Sequence, residues 1–237
     1  MKLIISEQIA QRYPDLRVGI VVADHMDNRE PDAALEELQT QICANIRRRF
    51  TTETLAEHPH IQAWRDTYRT FGANPKRTVP TAEALLRRVI GGKDLPSISK
   101  AVDAYLLAEL DQVIPVGGYD LTCVSGDIQL RASSGNEAFV PIGGNECQPE
   151  LTKVGEIVYA DSTRVLTRMW NYRDCDFAKI TEASSSIALF AEAPLPTIPT
   201  SEIETLVNSI SSLIVRFCGG VVRTQIADIK ESLAFDL

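Results

Sequence analysis

The sequence predicts an α+β protein, in which a helical N-terminal part precedes a mostly antiparallel sheet packed by a C-terminal helix. Three observations predict this order. Apolar residues recur at helical spacing over about residues 24–111, short extended runs separated by turn residues follow from residue 112, and a long amphipathic stretch lies near the C-terminus. We therefore expect one domain over residues 1–237, with a helical part of about 24–111 and a sheet-rich part of about 112–237.

The composition is that of an ordinary globular protein, with 237 residues of which 44% are apolar and 24% charged. No run approaches the ~18 apolar residues of a membrane-spanning helix. The apolar start, Met1–Ile5, becomes polar at Ser6, so we expect no signal peptide. The five cysteines are scattered without a CxxC pair, which predicts reduced thiols in the cytoplasm and argues against a zinc site.

Charge is distributed unevenly along the chain. The net charge is −8, yet the segment from Arg47 to Lys93 holds ten Lys or Arg against four acids, or +6. A local basic face on an acidic body can hold phosphate groups, with strong salt dependence. The alternative is that these residues only solvate helix faces.

The first predicted elements are a buried strand and two amphipathic helices. Arg17–Ala23 is a compact apolar run, typical of a buried strand. Apolar residues at helical spacing predict a helix over Ala33–Phe50, capped by Asp32, and a second helix over Ile61–Phe71.

We expect Arg65 and Arg69 of the second helix to lie together and outward, because they are four residues apart.

Two further helices complete the helical part. Thr81 is the expected cap of a helix over Ala82–Ile90. Ser97 begins the next helix, with Ile98 directed inward.

Short strands separated by turn residues follow. The expected strands are Gln112–Val116, Leu121–Val124, Ile128–Ala132, Ala138–Ile142, a hairpin of Glu156–Asp161 with Arg164–Trp170, and Ile187–Ala193. Three prolines then precede an apolar helical stripe, and Ser201 with Glu204 predicts a capping box at its start.

Several common chemistries have no sequence signal. There is no GxGxxG, GxxxxGK[ST] or GxSxG motif, so we expect no nucleotide cofactor and no serine-hydrolase elbow. His58 and His60 lack a third nearby ligand, so we expect no metal. No cysteine has a partner in the sequence, which favours inert thiols over a nucleophile. No catalytic residue stands out, and an enzyme of this kind would position a water molecule and stabilise an oxyanion.

Two groups of motifs resemble the B3/B4 domain family. The first is Trp64-Arg65-x-x-Tyr68-Arg69-x-Phe71-Gly72 followed by Pro75-Lys76 and Glu83-Ala84-Leu85-Leu86-Arg87-Arg88. The second is Pro115-Val116-Gly117-Gly118-x-Asp120, Gly155-Glu156-x-x-Tyr159-x-Asp161 and Arg168-x-Trp170-Asn171-Tyr172-Arg173. The resemblance covers roughly Val18 to Phe217 and implies a B3/B4-like fold.

The resemblance also implies an activity. The B3/B4 domain is the editing module of the phenylalanyl-tRNA synthetase β subunit, where it removes tyrosine from tRNA(Phe), and it also occurs as stand-alone proteins. One such relative deacylates canavanyl-tRNA(Arg). The implied function is therefore a trans-acting deacylase of a mischarged tRNA, bound by its acceptor end, with canavanyl-tRNA(Arg) as the expected substrate. No cofactor is implied, and the oligomeric state stays open.

The resemblance and the local chemistry together give candidate residues. Those expected in the substrate pocket are Tyr105, Asp120, Glu146, Arg168, Asn171 and Thr181. Those expected to bind tRNA are Arg65, Arg69, Lys76, Arg77, Arg87 and Arg88. Where the synthetase has a Gly-rich turn, this chain has Arg168–Asn171, which predicts a reshaped pocket.

Four alternatives stay open. Thr181 is equally a residue that starts a strand, and Asp103, also considered for the pocket, is equally a solvated helix residue. The protein could deacylate another mischarged tRNA, such as tyrosyl-tRNA(Phe). It could also be a non-catalytic module that binds a small ligand or an RNA end.

Overall fold

The computed structural model describes every residue from Met1 to Leu237. Its helices are α1 (Glu7–Arg12), α2 (Ala33–Arg49), α3 (Thr52–Glu57), α4 (Pro59–Thr70), α5 (Thr81–Ile90), α6 (Lys100–Gln112) and α7 (Thr200–Cys218). Its strands are β1 (Lys2–Ile5), β2 (Arg17–Asp24), β3 (Val116–Asp120), β4 (Ile128–Ala132), β5 (Ala138–Phe139), β6 (Glu150–Leu151), β7 (Ile157–Ala160), β8 (Val165–Arg168), β9 (Arg173–Asp174), β10 (Ser186–Ala193), β11 (Val221–Asp228) and β12 (Ala234–Asp236). None of the helices is both long enough and apolar enough to cross a membrane.

Two larger sheets form the centre of the fold. One has the strand order β12-β1-β4-β7-β8-β9, in which only β1 and β4 are parallel. The other is fully antiparallel, with the order β11-β2-β10-β3. A two-stranded ribbon, β5-β6, is separate. The two larger sheets meet through aromatic rings: Tyr119 and Phe190 of the four-stranded sheet contact Tyr159 of the six-stranded sheet.

Helix α7 covers the four-stranded sheet because β2 has a glycine where the two approach most closely. A Cβ atom on Gly19 would lie only 2.6 Å from a Val207 methyl carbon and 2.7 Å from one of Ile203. The buried stripe of α7 therefore lies directly on the backbone of β2. A cluster of 62 buried residues runs from this layer to the helices α2 and α4–α6.

The predicted α+β class and most of the long elements are confirmed. Strand β2, helix α2 with its Asp32 cap, α4, α5, the β7–β8 hairpin, β10 and α7 lie where the patterns placed them. Strand Ile128–Ala132 is also confirmed. The pattern did not reveal β1, α1, α3, β11 and β12, which are short or exposed.

Two predicted strands are wrong. Residues 112–116 are not a strand, because α6 continues to Gln112 and ends at Val113 in a left-handed conformation with φ +57°. Residues 121–123 form a 3₁₀ turn, capped by Asp120. The strand at Ala138 is only two residues long.

The predicted caps of three helices are also wrong. Pro80 and Pro199 are the N-cap residues of α5 and α7, and neither helix has a side-chain hydrogen bond at its cap. Thr81 and Ser201 therefore do not cap these helices. The Thr81 hydroxyl instead donates to the Asn171 carbonyl at 2.7 Å. Ser99 rather than Ser97 caps α6, and Ile98 is 47% exposed rather than inward.

Candidate active site

A small polar cavity lies where the two larger sheets meet. Its volume is about 10 Å³, which is roughly the space for one water molecule. We call it the polar cavity; it is lined by Thr81, Val116, Gly117, Tyr119, Tyr159, Thr167, Trp170, Asn171, Asp174, Phe190 and Glu192. Strands β3, β7, β8, β9 and β10 therefore each contribute a side chain or backbone segment to one point.

Asp174 is the carboxylate at the partly accessible side of the cavity. The Thr167 hydroxyl donates to its Oδ1 at 2.5 Å, and the Tyr119 hydroxyl lies 2.5 Å from the same Thr167 oxygen. Since Thr167 donates to Asp174, Tyr119 donates to Thr167, giving a chain of hydrogen bonds that ends on the carboxylate. Burial raises the pKa of Asp174 to about 6, and the bond from Thr167 opposes that rise.

Glu192 is the carboxyl group at the inner end of the cavity. It is 2% exposed, and Tyr159 donates to its Oε1 at 2.9 Å. Desolvation raises the pKa of Glu192 to about 8, while the nearby hydroxyl of Tyr159 and the amide of Asn171 offset part of the rise. No Lys, Arg or His forms an ion pair with either Asp174 or Glu192.

Three polar atoms of the cavity residues are buried without a hydrogen-bond partner. They are Oε2 of Glu192, Nδ2 of Asn171 and Nε1 of Trp170, although the Asn171 amide lies close enough to Glu192 to lower its pKa. Buried polar atoms without partners cost about 1–3 kcal/mol each, so native structures contain few of them. All three belong to residues that line one water-sized cavity, which indicates a site that a polar group of a ligand, or a water molecule, completes. A further buried carboxyl, Glu109 of α6, is also unpaired, and its pKa lies well above the ordinary range because it is fully desolvated.

The wall at Trp170 is a strained turn between β8 and β9. Met169 and Trp170 have φ values of +50° and +70°, a conformation that costs an L-residue other than Gly about 1–2 kcal/mol. Packing holds the turn in place: the fully buried Trp170 ring makes edge contacts with Tyr13 and Trp64, and Tyr68 donates to Asn171 Oδ1 at 2.7 Å. Strain of this kind is retained where the surrounding structure over-determines it, often at functional sites.

Two adjacent glycines of β3 have different roles. A Cβ on Gly118 would lie 2.3 Å from the Ala188 carbonyl oxygen, so the pairing of β3 with β10 requires glycine there. A Cβ on Gly117 would meet only the Asp174 carboxylate oxygens, at an ordinary 3.9 Å. The fold therefore does not require glycine at position 117. Its lack of a side chain instead leaves the space in front of Asp174 open.

The comparisons with known proteins fit this arrangement. A sequence model of the B3/4 domain matches residues 63–223, which include every lining residue of the polar cavity. The chain belongs to the B3/4 domain family.

Among solved structures, the chain is similar to an N-terminal fragment of the phenylalanyl-tRNA synthetase beta-subunit from Pyrococcus horikoshii. The sequence identity is 12%, the TM-score is 0.46, and the match covers 93% of this chain and 50% of the other. The chain thus spans about half of that fragment's length. No curated protein sequence matches the chain.

Of the six residues that the sequence placed in the pocket of this B3/4 domain protein, one lines the polar cavity and one lies behind it. Asn171 is a lining residue. Tyr105 is buried in α6, and the negative charges of Asp174 and Glu109 add to the desolvation that raises its pKa.

Asp120 and Thr181 come together at a turn outside the cavity. The Ser184 hydroxyl donates to Asp120 Oδ2 at 2.5 Å, and Thr181 N–H donates to the Ser184 oxygen at 3.0 Å. Asp120 also accepts from the Thr122 backbone and hydroxyl. These bonds use both carboxylate oxygens within the protein. Asp103 is similarly engaged, by Ser97 and the Ile98 backbone.

Glu146 and Arg168 lie elsewhere. Glu146 is on an exposed loop at a separate cavity of about 220 Å³, beside Arg164 and Phe177. Arg168 is buried and donates to both oxygens of the buried Glu156, at 2.6 and 2.8 Å, and to Glu150 at 2.8 Å. The ion pair with Glu156 raises the pKa of Arg168. Its charge is therefore satisfied within the protein.

The basic residues divide into two sets. Arg65, Arg69, Lys76 and Arg87 line a cavity of about 420 Å³ between α3, α4 and α5. Arg77 and Arg88 are exposed and do not line it. Arg65 is not directed outward as expected, because its guanidinium binds the buried Glu83.

The contacts of the histidine pair and the state of the cysteines give no sign of a metal site or a nucleophile. His60 lies 3.2 Å from Glu202, and burial lowers the pKa of His58 to about 4. All five cysteines are free thiols. No group of three or more His, Cys, Asp or Glu side chains is arranged to hold a metal ion.

Sequence reasoning missed Asp174, Glu192, Thr167 and the tyrosines Tyr119 and Tyr159. One signal was available: Glu192 is the only charged residue in the otherwise apolar run Ile187–Ala193. A carboxylate within a buried strand is costly and so marks a candidate site. Nothing in the sequence pairs it with Asp174, because the two residues belong to different sheets.

Proposed function

We propose that this B3/4 domain protein hydrolyses the ester that joins a wrongly attached amino acid to the 3′ end of a tRNA, acting in trans. The motifs that resemble the editing module of phenylalanyl-tRNA synthetase support the reaction class. The observation that carries the proposal is the polar cavity, where the carboxyl groups of Asp174 and Glu192, which have no ion-pair partner, lie with Asn171 and Trp170 around a water-sized space.

In this proposal Asp174 is the general base. A group with a pKa of about 6 is ionised at neutral pH and still basic enough to accept a proton in the transition state. The carboxylate takes a proton from a bound water as the water oxygen attacks the ester carbonyl carbon. The bond from that carbon to the ribose oxygen then breaks, and the ribose oxygen receives the proton. The N–H groups of Asn171 and Trp170 are the donors available to a developing oxyanion.

We propose canavanyl-tRNA(Arg) as the substrate. The resemblance to the stand-alone relatives supports this choice, since one such relative deacylates canavanyl-tRNA(Arg). Canavanine has an oxygen where arginine has a methylene group, which is the kind of difference that polar sites discriminate well.

Binding requires the cavity to widen. A space of about 10 Å³ admits water but not an amino-acid side chain. The turn at Met169–Asn171 is the element of the wall that carries backbone strain, so we expect it to move when substrate enters.

The test is release of free amino acid from a panel of mischarged tRNAs under catalytic turnover. We expect fast release of canavanine from tRNA(Arg), slow release of arginine, and none of tyrosine from tRNA(Phe). Glu146→Ala tests the separate cavity, because loss of activity in this variant would move the substrate pocket there. Binding of every tRNA without release would contradict the proposal and favour the non-catalytic module. Fast release of tyrosine alone would contradict the substrate.

A further inference from the structure

The cavity of about 420 Å³ that we call the basic cavity is distinct from the polar cavity. It is lined by Ala56, Arg65, Arg69, Pro75, Lys76, Val79, Glu83 and Arg87. Its volume lies in the range of sites that hold small ligands, about 300–1,000 Å³. Four cationic side chains therefore converge on one concave surface of a protein whose net charge is −8.

A single buried carboxylate organises two of these cations. Glu83 is 1% exposed; Arg65 donates to both of its oxygens, and Arg87 Nε donates to Oε1 at 2.8 Å. One negative charge thus faces two guanidinium groups, which leaves an excess positive charge at the cavity wall. The terminal nitrogens of Arg87 make no hydrogen bond within the protein and stay available to a ligand.

The other two cations are on the open side. Arg69 pairs with the exposed Asp66 through one nitrogen, and Lys76 has no ion-pair partner. A guanidinium held in a fixed orientation presents paired N–H donors that match phosphate oxygens, and a lysine adds a mobile charge. The basic cavity is consequently prepared for a phosphate group before any ligand arrives.

The two cavities are neighbours along the chain. Val79 lines the basic cavity and Thr81 lines the polar cavity, and two residues span at most about 7 Å. The two cavities are therefore joined by a short stretch of chain, within the reach of one or two nucleotides.

We propose that the basic cavity binds a backbone phosphate close to the 3′ end of an RNA, with Arg69, Lys76 and the free nitrogens of Arg87 as donors and Glu83 as the residue that positions Arg65 and Arg87. The choice of RNA rests on the proposed function. The phosphate site itself rests on the cavity and its charges, and it is tested without any deacylation reaction.

The experiment measures fluorescence anisotropy of a labelled RNA tetranucleotide ending in cytidine-cytidine-adenosine without an amino acid. The test variant is Arg69→Gln with Lys76→Gln. The control is Arg48→Gln with Lys93→Gln, which removes two exposed charges from the same basic segment but outside the cavity. We expect the test variant to bind at least 10-fold more weakly and the control to change less than threefold. The salt dependence of log affinity should flatten by roughly 0.7 in the test variant, the value for one lost phosphate contact on a single strand.

Competition separates the possible ligands. Cytidine monophosphate and inorganic phosphate should displace the RNA, whereas cytidine should not. Equal weakening in the two double variants would show a diffuse charge effect and overturn the proposal, as would competition by cytidine as strong as by its monophosphate. Tighter binding of the free nucleotide than of the RNA would overturn the assignment to an RNA end. Parental unfolding midpoints in both variants establish that the fold is intact, and loss of deacylation alone would count only against the proposed function.

Discussion

Strand β8 separates two buried polar clusters that differ in one respect. Arg168 points to one side of the strand, where Glu156 and Glu150 use all of its donor nitrogens. Thr167 points to the other side, where it binds Asp174 beside Glu192, and no cation pairs with these carboxyls. Both clusters are buried, and in both the sequence indicates a free-energy cost of burying charged groups. Only the second has polar atoms without partners, so the pairing of buried charges, rather than their burial, identifies the candidate site.

The largest effect is expected from Asp174→Asn. If Asp174 is the general base, its loss lowers kcat by about 10²- to 10⁴-fold. In the parent protein, kcat/KM should rise with pH through about 6, because the base works only when deprotonated, and this rise should be absent from the variant. The control, Asp176→Asn, changes a half-buried neighbour that binds Lys179. Parental activity in Asp174→Asn would remove this residue from the mechanism.

Glu192 predicts an unusual dependence of stability on pH. Its ordinary pKa is 4.5 and its folded pKa is about 8, so between these values the folded state binds more protons than the unfolded state. The free energy of unfolding therefore falls as pH rises from about 4.5 to about 8, by on the order of 5 kcal/mol at about 1.4 kcal/mol per pKa unit. Glu192→Gln should lack this contribution and be more stable than the parent protein at pH 9. Urea denaturation across this range measures both slopes, and parallel curves would contradict the assignment.

In the cluster of Arg168, Glu156 and Glu150, replacing a carboxylate should destabilise the protein rather than stabilise it. Glu156→Gln leaves the buried Arg168 with only the partly exposed Glu150, and we expect a loss of about 3 kcal/mol in the free energy of unfolding at pH 7. Glu192→Gln at the same pH should cost nothing. Arg173→Met removes an exposed partner of Glu150 and should cost less than about 1 kcal/mol. If both Gln substitutions destabilise equally, the distinction between the two clusters is wrong.

The smallest effect concerns the turn that follows β8. Trp170→Ala and Trp170→Gly both lose the packing of a buried indole and should both be less stable than the parent protein. Because φ is +70° at this position, Gly avoids a strain that Ala retains, and the Gly variant should be the more stable of the two by about 1 kcal/mol. Thermal denaturation of the pair measures this difference. The reverse order, which is normal in strands and helices, would indicate that the turn relaxes when the ring is removed.

The sequence predicted those elements whose pattern is long and regular. Helix α7 has an uninterrupted apolar stripe, and β2 is a compact apolar run, so both were predicted with nearly correct bounds. The end of α6 was not predictable, because Val113 adopts a left-handed conformation that β-branched residues rarely occupy. The strands β11 and β12 were missed because their exposed residues give no alternation of burial.

The candidate site was harder to predict than the fold. Asn171 was found because a crowded polar strand end is locally visible. Arg168, six residues before Asp174, was chosen for the same reason, although its partner Glu156 across the hairpin satisfies it. The pairing of Asp174 with Glu192 depends on how β9 and β10 approach from different sheets, and local periodicity carries no information on such contacts.

The position of the polar cavity has a consequence for solubility. Strands β3 and β9 are each the last strand of a sheet, and they lie at this cavity, with Gly117 next to Asp174. An open sheet edge is a template for pairing with another chain, and proteins protect such edges from aggregation. Residues 140–142 cover β9, because the Ile142 N–H donates to the Asp174 carbonyl and the Asp176 N–H donates to the Val140 carbonyl. At β3 the Asp120 N–H donates to the Ala178 carbonyl. A movement that widens the polar cavity therefore uncovers the edge of β3, and a variant held permanently open would be prone to self-association.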